Sequence, residues 1–200
     1  MPPTTRERTL RAQGRATRCR LLLAGRKVFA SHGFHAARVD DIAAAAKTSH
    51  GTFYLYFANK EDLFRALATE AMDEMETLGD RLGPITADDD GRAALRRWVS
   101  DFVDIYATHG KVILAWADRE FADRDLGRRG NESLATLSTA IADRIAEARG
   151  GGSTAADGVA CLSMLERFNY FQQSRQIRFD RATAIDTLTR AMFDGFFRPT

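Results

Sequence analysis

The chain has 200 residues, of which 44% are hydrophobic and 28% charged, a composition typical of a soluble globular protein with a sizeable core. Its apolar runs are far shorter than the roughly 18 residues of a membrane span, and its basic N-terminus lacks the apolar segment of a secretory signal. We therefore expect a cytoplasmic protein without a membrane partner. With four histidines, no HExxH motif and no nucleophile motif, the sequence does not favour an enzyme, and we expect no cofactor.

The net charge of +2 hides an asymmetry between the two parts of the chain. Residues 1–60 hold eleven Lys/Arg and three Asp/Glu, a net charge of +8. Residues 61–200 hold eighteen Lys/Arg and twenty-four Asp/Glu, a net charge of −6. A basic segment next to an acidic one is the distribution expected when only the first segment binds nucleic acid.

Residues 1–16 are rich in arginine, and we predict a disordered arm that either adds DNA contacts or is a solvated tail. Residues 17–32 form the first predicted helix, which Gly33 ends. His32 and His35 have no carboxylate or cysteine at a suitable spacing, so we expect no metal site. The two cysteines, Cys19 and Cys161, are expected to be free thiols.

Two short helices are predicted in the basic segment, at residues 39–46 and 50–56, with a tight turn between them. Phe53 and Phe57 lie four residues apart on the inward face of the second helix. Asn59 is a good N-cap for a third helix, and Asp62 follows three residues later. Short helices joined so tightly need a third helix beneath them, which is the arrangement of a helix-turn-helix unit.

The run at 46–64 reads A-x-x-S-H-G-T-F-Y-x-Y-F-x-N-K-E-D-L-F and resembles the DNA-binding domain of the TetR family of bacterial regulators. The resemblance extends over roughly residues 18–72 and implies a recognition helix at 50–56, with Thr52, Tyr54 and Lys60 on phosphates. The full set of expected DNA-binding residues is Arg38, Lys47, Thr48, Ser49, His50, Gly51, Thr52, Tyr54, Tyr56 and Lys60.

Three positions depart from the family pattern. Lys47 stands in the turn where members usually have glycine, and Thr48 stands where they have an apolar residue. A lysine is strained at a position that prefers a positive φ, and its ammonium group would lie near the DNA backbone. Arg38 replaces a common Ser or Thr helix cap, and we expect it to contact a phosphate instead of capping the helix.

The remaining chain is predicted to contain helices at 60–81, 92–108, 112–123, 131–149 and 153–174, with a last helix from residue 180 or 181. His109 and Gly110 are expected to end one helix before the next begins. The aromatic residues of this segment predict either an ordinary core or an apolar ligand pocket. The resemblance to the TetR family implies a small-molecule cavity, and the absence of a charged cluster favours a lipophilic ligand.

The expected pocket residues are Trp98, Phe102, Tyr106, Trp116, Phe121, Phe168 and Asn169. Asn169 is either a polar contact to the ligand or a satisfied amide in the core. The last two helices are apolar around most of their circumference, so we predict a four-helix bundle between two copies of the chain. The alternative is that both helices complete a monomer core. The expected interface residues are Leu165, Phe171, Leu188, Met192 and Phe196.

The sequence thus predicts an all-α protein of about nine helices, with a helix-turn-helix domain at 17–60 and a helical effector-binding and dimerisation domain at 61–200. The expected function is a repressor that binds a palindromic operator as a homodimer and is released by a small lipophilic ligand. The alternative is an architectural or constitutive DNA-binding regulator that has no small-molecule effector.

Overall fold

The computed structural model describes the backbone of residues 5–117, 123–174, 177 and 179–198, and the side chains of all of these except 5–11, 116 and 117. This part of the chain contains helices and no strand, which confirms the predicted all-α class. In chain order the helices are α1 (Thr5–Ala36), α2 (Val39–Ala45), α3 (His50–Tyr54), α4 (Lys60–Asp80), α5 (Asp89–Ala117), α6 (Arg124–Arg149), α7 (Ala155–Gln173) and α8 (Arg181–Met192). A short π-helical turn at Phe193–Phe197 follows α8.

The first helix begins earlier than the sequence predicted. Because α1 starts at Thr5, the predicted disordered arm is wrong for residues 5–16, whose backbone is helical. The predicted end of the helix is close to the observed break, since Gly33 has φ 77° and ψ 166°, outside the helical region. Glycine tolerates this conformation because it has no Cβ.

The first hydrophobic core joins α1, α2 and α3 to the N-terminal half of α4, and residues of α5 and α6 also contribute to it. Its largest fully buried side chains include Leu21, Ile42, Phe53 and Phe64. Helices α1 and α4 approach closely at Gly25, where an added Cβ would lie 2.3 Å from Cδ2 of Leu63. The third helix therefore lies beneath the two short helices, as the helix-turn-helix pattern requires.

The second hydrophobic core joins the C-terminal half of α4 to α5, α6, α7, α8 and the π-helical turn. It includes Met75, Leu78, Phe102, Ile141 and Phe197. The two cores divide within α4, between Met72 and Met75. Helix α4 is thus part of both cores.

The prediction that His109 and Gly110 end a helix is wrong, because α5 continues through both residues to Ala117. His109 is fully buried, and its Nε2 lies 3.1 Å from Oε1 of Glu74. At Gly110 an added Cβ would lie 2.5 Å from Cγ of Gln173 in α7. The glycine is therefore needed for close packing of two helices, and helix packing outweighs its low helix propensity.

The boundaries of the last three α-helices are set by capping residues. Asp123 accepts a hydrogen bond from the Leu126 backbone N–H at 3.0 Å, so α6 begins seven residues before the predicted start. Gly150 ends α6 with φ 72°, and Thr154 and Asp157 form a capping box that begins α7. Asp180 caps α8 through the Thr183 backbone N–H, as predicted. Within the described residues, no helix has a segment both long and apolar enough to span a bilayer.

Candidate functional site

The short helix α3 is held in place by its cap and by its inward aromatic residues. The Ser49 hydroxyl accepts a hydrogen bond from the Thr52 backbone N–H at 3.1 Å and lies 2.8 Å from the Thr52 hydroxyl. Phe53 is fully buried and Phe57 is 3% exposed, which confirms the predicted inward face. Helix α3 ends at Tyr54 and is therefore shorter than predicted. Its outward side chains project from a backbone that is fixed from below.

The turn before α3 has the strain that the sequence predicted. Lys47 has φ 53° and is the only residue other than glycine with a positive φ in the described part of the chain. Its side chain is exposed. Arg38 occupies the N-cap position of α2 and makes no side-chain capping hydrogen bond, as expected. Arg38 therefore lies before α2 and Lys47 lies between α2 and α3, and neither basic side chain stabilises the local backbone.

The outward surface of α3 carries a mixed group of side chains. Tyr54 is 49% exposed, and its ring lies 5.0 Å from the ring of His50. His50 Nδ1 is hydrogen bonded to the Asp40 carboxylate of α2, which fixes the orientation of the imidazole. Leu55 is 80% exposed and was not predicted as a site residue. Leu55 lies midway between Phe53 and Phe57 in the sequence and therefore does not share their inward helical face. This spacing was the signal in the sequence that Leu55 would be exposed.

Gly51 leaves free space at the surface of α3. An added Cβ would meet only the Ser49 hydroxyl, at 3.9 Å. The packing of the free protein therefore does not require a glycine at this position, although glycine costs about 1 kcal/mol relative to alanine in a helix. Close approach of a binding partner is the remaining physical reason for this residue.

Two of the expected DNA-binding residues have structural roles in the free chain. The prediction for Lys60 is corrected, because its ammonium group donates to the carbonyl oxygens of Phe34, His35 and Ala37 at 3.0, 2.9 and 3.2 Å. These bonds occupy all three donors of the ammonium group. Tyr56 is half-buried against the first core, and its hydroxyl lies 3.6 Å from the position of an added Cβ at Gly14.

A second candidate site is a cleft between α4, α5, α6 and α7. The space that it encloses is about 50 Å³. Most of the residues that line it are apolar, and they are Ala68, Ala71, Met72, Met75, Phe102, Tyr106, Val112, Ile113, Gly130, Ser133, Leu134, Leu137, Leu162 and Glu166. The character of this lining suits a small molecule of low polarity, and the cleft must widen to admit one, because ligand pockets measure about 300–1,000 Å³.

The sequence identified only part of this lining. Phe102 and Tyr106 line the cleft as predicted. Trp98 does not, because it is buried in the second core and its Nε1 donates to the Leu78 carbonyl at 3.0 Å. Phe168 stacks on Phe179 instead, with ring centroids 5.7 Å apart.

Asn169 is a satisfied core amide, since it is 3% exposed and its Nδ2 donates to the Leu165 carbonyl at 2.9 Å. The predicted residues Trp116 and Phe121 lie outside the residues whose side chains the structure describes.

Glu166 is the site residue that the sequence reasoning missed. Tyr106 donates a hydrogen bond from its hydroxyl to Oε1 of Glu166 at 3.3 Å. Burial raises the pKa of the Glu166 carboxyl, and it also raises the pKa of the Tyr106 hydroxyl, with the nearby carboxylate as a second cause. Glu166 follows Leu162 by four positions and so lies on the same face of α7. An acidic residue on an apolar face was the available signal for a polar site residue.

The cleft shares residues with the first hydrophobic core. Ala68 and Met72 of α4 and Val112 of α5 belong to that core and also line the cleft. A molecule that enters between α4 and α5 therefore contacts side chains that pack against the helix-turn-helix unit.

Comparison with known proteins agrees with this arrangement. Residues 21–67 match the family model described as bacterial regulatory proteins, tetR family. The chain is 29% identical over 113 residues to the transcriptional repressor SCO4008 of Streptomyces coelicolor, covering 56% of this chain and 54% of that protein. It is 31% identical over 135 residues to the transcriptional repressor NicS of Pseudomonas putida, covering 67% of this chain and 62% of that protein. The chain belongs to the TetR family.

The structural comparison extends over nearly the whole TetR-family chain. The structure of AibR in complex with isovaleryl coenzyme A and operator DNA matches with a TM-score of 0.66 and 15% identity, covering 92% of this chain and 100% of that one. At this identity the match shows the fold alone. The curated relatives named above are transcriptional repressors, and the matched segments span less than two thirds of their lengths.

Three of the residues predicted to form a dimer interface are buried within this one chain. Leu165, Leu188 and Met192 are at most 2% exposed and belong to the second core, so their assignment to an interface is corrected. Wide apolar stripes on α7 and α8 arise because each helix packs against several others. Phe196 is partly buried against the same core, and Phe171 is 36% exposed. The most exposed large apolar residue of α7 is Val159, at 53%.

Proposed function

We propose that this chain is a transcriptional repressor that binds a two-fold symmetric DNA operator as a homodimer and is released by a small molecule. The observation that carries the proposal is the outward surface of α3 and its C-cap, where Gly51, Tyr54 and the C-cap residue Leu55 are exposed and the buried Phe53 fixes the helix from below. This surface belongs to the segment of net charge +8. The repressor names of the two curated relatives support the same function.

In this proposal α3 enters the major groove and the preceding turn contacts the DNA backbone. Tyr54 and His50 lie beside each other on the outward face, where they reach base edges or phosphates. Lys47, Arg38 and the hydroxyl of Thr48 contact phosphates. Lys60 is not included, because its donors are used within the chain.

The homodimer forms through the outward faces of α7 and α8 in this proposal. Val159 on α7 and the partly exposed Phe171 remain available for it, whereas the buried Leu165 does not. Two copies related by a two-fold axis place their α3 helices in successive major grooves, about 34–36 Å apart on one face of the duplex.

Release by a ligand follows from the residues that the cleft shares with the first core. A molecule that fits only a widened cleft moves Met72 or Val112 and so changes the packing beneath α3. Because it binds one state of the protein better, it lowers the population that can bind DNA. The solved complex of AibR contains isovaleryl coenzyme A and operator DNA together, which supports small-molecule binding by this fold but is not evidence for release.

The test is titration of the purified chain on DNA fragments from the region upstream of its own gene, across a series of salt concentrations. We expect a high-affinity footprint with two-fold symmetry, and affinity that falls with salt as phosphate contacts release counterions. Binding that is equally weak on every fragment would contradict the proposal. A symmetric footprint that no small molecule affects would favour the alternative, a constitutive regulator.

A further inference from the structure

The cleft between α4, α5, α6 and α7 contains one acidic side chain in apolar surroundings. Glu166 is the only charged residue among the described residues that line it. Within the part of the chain that the structure describes, no lysine or arginine lines the cleft, and the Tyr106 hydroxyl donates a hydrogen bond to the Glu166 carboxylate. The neighbouring Arg167 lies over the rings of Tyr170 and Phe171, at 4.7 and 5.8 Å, and does not line the cleft.

A carboxylate in such surroundings is costly unless a positive charge compensates it. Burial raises the pKa of the Glu166 carboxyl, because it disfavours the charged form, and the hydrogen bond from Tyr106 and the positive charge of Arg167 offset only part of this effect. A ligand that carries a positive charge removes the cost, while an anionic ligand adds repulsion. The carboxylate therefore selects ligands by the sign of their charge.

The aromatic residues beside Glu166 suit the same kind of ligand. The rings of Phe102 and Tyr106 are stacked, with centroids 5.1 Å apart and planes 20° apart, and both residues line the cleft. Faces of aromatic rings attract cations, and the effect is larger where water is excluded. The apolar side chains of Met72, Leu134 and Leu162 provide the surface for a hydrocarbon part.

We propose that the cleft binds a lipophilic amine, with the protonated nitrogen at the Glu166 carboxylate and the hydrocarbon part among the apolar side chains of α4 and α6. This inference rests on the proposed function, because it names the chemical class of the ligand in that site. It narrows the lipophilic ligand expected from the sequence and differs from the acyl-coenzyme A ligand of AibR. Tyr106 is a positioning residue, since its hydroxyl orients the carboxylate.

The test compares three probes that have the same chain length and different charges: n-octylamine, 1-octanol and octanoate. Binding to the full chain is measured by isothermal titration calorimetry at pH 7.5, where an alkylamine is protonated like a lysine side chain. We expect the amine to bind at least tenfold more tightly than the alcohol, and octanoate to bind most weakly. Octanoate affinity equal to that of the amine overturns the proposal.

The variant Glu166→Gln removes the charge and keeps an oxygen that accepts the hydrogen bond from Tyr106. We expect its affinity for n-octylamine to fall at least tenfold, to the level of 1-octanol, while its affinity for 1-octanol stays within twofold. The matched control is Glu132→Gln, which removes an exposed carboxylate of α6 outside the cleft and leaves all three affinities unchanged. An unchanged amine preference in Glu166→Gln refutes the role of this carboxylate.

A second measurement separates this inference from the proposed function. If n-octylamine binds through Glu166 but leaves operator affinity unchanged, ligand-controlled release fails while the assignment of the ligand class stands. If an uncharged or anionic compound releases the operator and n-octylamine does not bind, the repressor function stands and the amine assignment fails.

Discussion

Replacing Lys60 with methionine tests whether this residue stabilises the fold or contacts DNA. The substitution removes the ammonium group and keeps a long unbranched side chain of similar helix propensity. The resemblance to the TetR family implied a phosphate contact, which predicts normal stability and weaker DNA binding. The observed hydrogen bonds to the carbonyls of Phe34, His35 and Ala37 predict lower stability even without DNA.

The expected size of the effect follows from these contacts. A hydrogen bond to a charged group contributes about 1.5–3 kcal/mol when buried, and water reduces this contribution where the group is partly exposed. Two of the three bonds are part-buried and one is exposed. The ammonium also lies 4.9 Å from the centre of the Phe34 ring, which adds about 0.5 kcal/mol at such a site. We therefore expect Lys60→Met to lower the free energy of unfolding by about 2 kcal/mol.

Urea unfolding followed by circular dichroism measures this change directly. The matched control is Lys27→Met, which removes an exposed positive charge from α1 in the same domain and should change the free energy of unfolding by less than about 0.5 kcal/mol. If Lys60→Met is as stable as Lys27→Met yet loses operator affinity, our structural interpretation of Lys60 is wrong. That result would support the phosphate contact that the family resemblance implied.

Three further predictions concern the close approaches of helices and the outward surfaces. Gly51→Ala should raise the free energy of unfolding, measured by denaturation, by up to about 1 kcal/mol. It should also weaken operator binding, measured by DNA titration, at least tenfold. Unchanged operator affinity would contradict close approach of Gly51 to DNA. Gly158→Ala should destabilise the chain by about 3 kcal/mol, the upper end of the usual cost of overpacking, because its Cβ would lie 2.0 Å from the Ser138 carbonyl oxygen. The control Gly127→Ala has open space and should not destabilise it. Val159→Asp should give folded monomers in sedimentation experiments, and an intact dimer would exclude the outward face of α7.

The helix-turn-helix unit was predictable because its signals are local. Ser49 and Asn59 cap helices through backbone groups three residues later, at 3.1 and 2.8 Å, and Phe53 and Phe57 lie on one helical face. The strain at Lys47 was also predictable, because the family pattern has glycine there and the observed φ is 53°. Each of these features depends on a few consecutive residues.

The errors concern contacts between residues that are distant in the sequence. His109 and Gly110 appeared to end a helix, but contacts with Glu74 and Gln173 stabilise the helix through them. Lys60 matched a phosphate contact in the family pattern, while its partners lie 23 to 26 residues earlier. The identity of the cleft lining likewise depended on how four helices are arranged, which hydrophobic periodicity does not determine.

The position of the cleft determines which part of a ligand can affect DNA binding. Helix α4 begins at Lys60, which holds the end of α1, and its residue Ala68 lines the cleft about 12 Å further along the helix at 1.5 Å per residue. Ala68 also packs in the first core. Because protein interiors are close-packed, a displacement at Ala68 is transmitted to its neighbours in that core. A ligand that extends only toward Leu137 and Leu162 should bind without changing DNA affinity, because both residues belong to the second core. A longer ligand that also displaces Val112 should bind and should lower DNA affinity as well. The loss of DNA affinity should therefore depend on ligand length more steeply than the ligand's own affinity does.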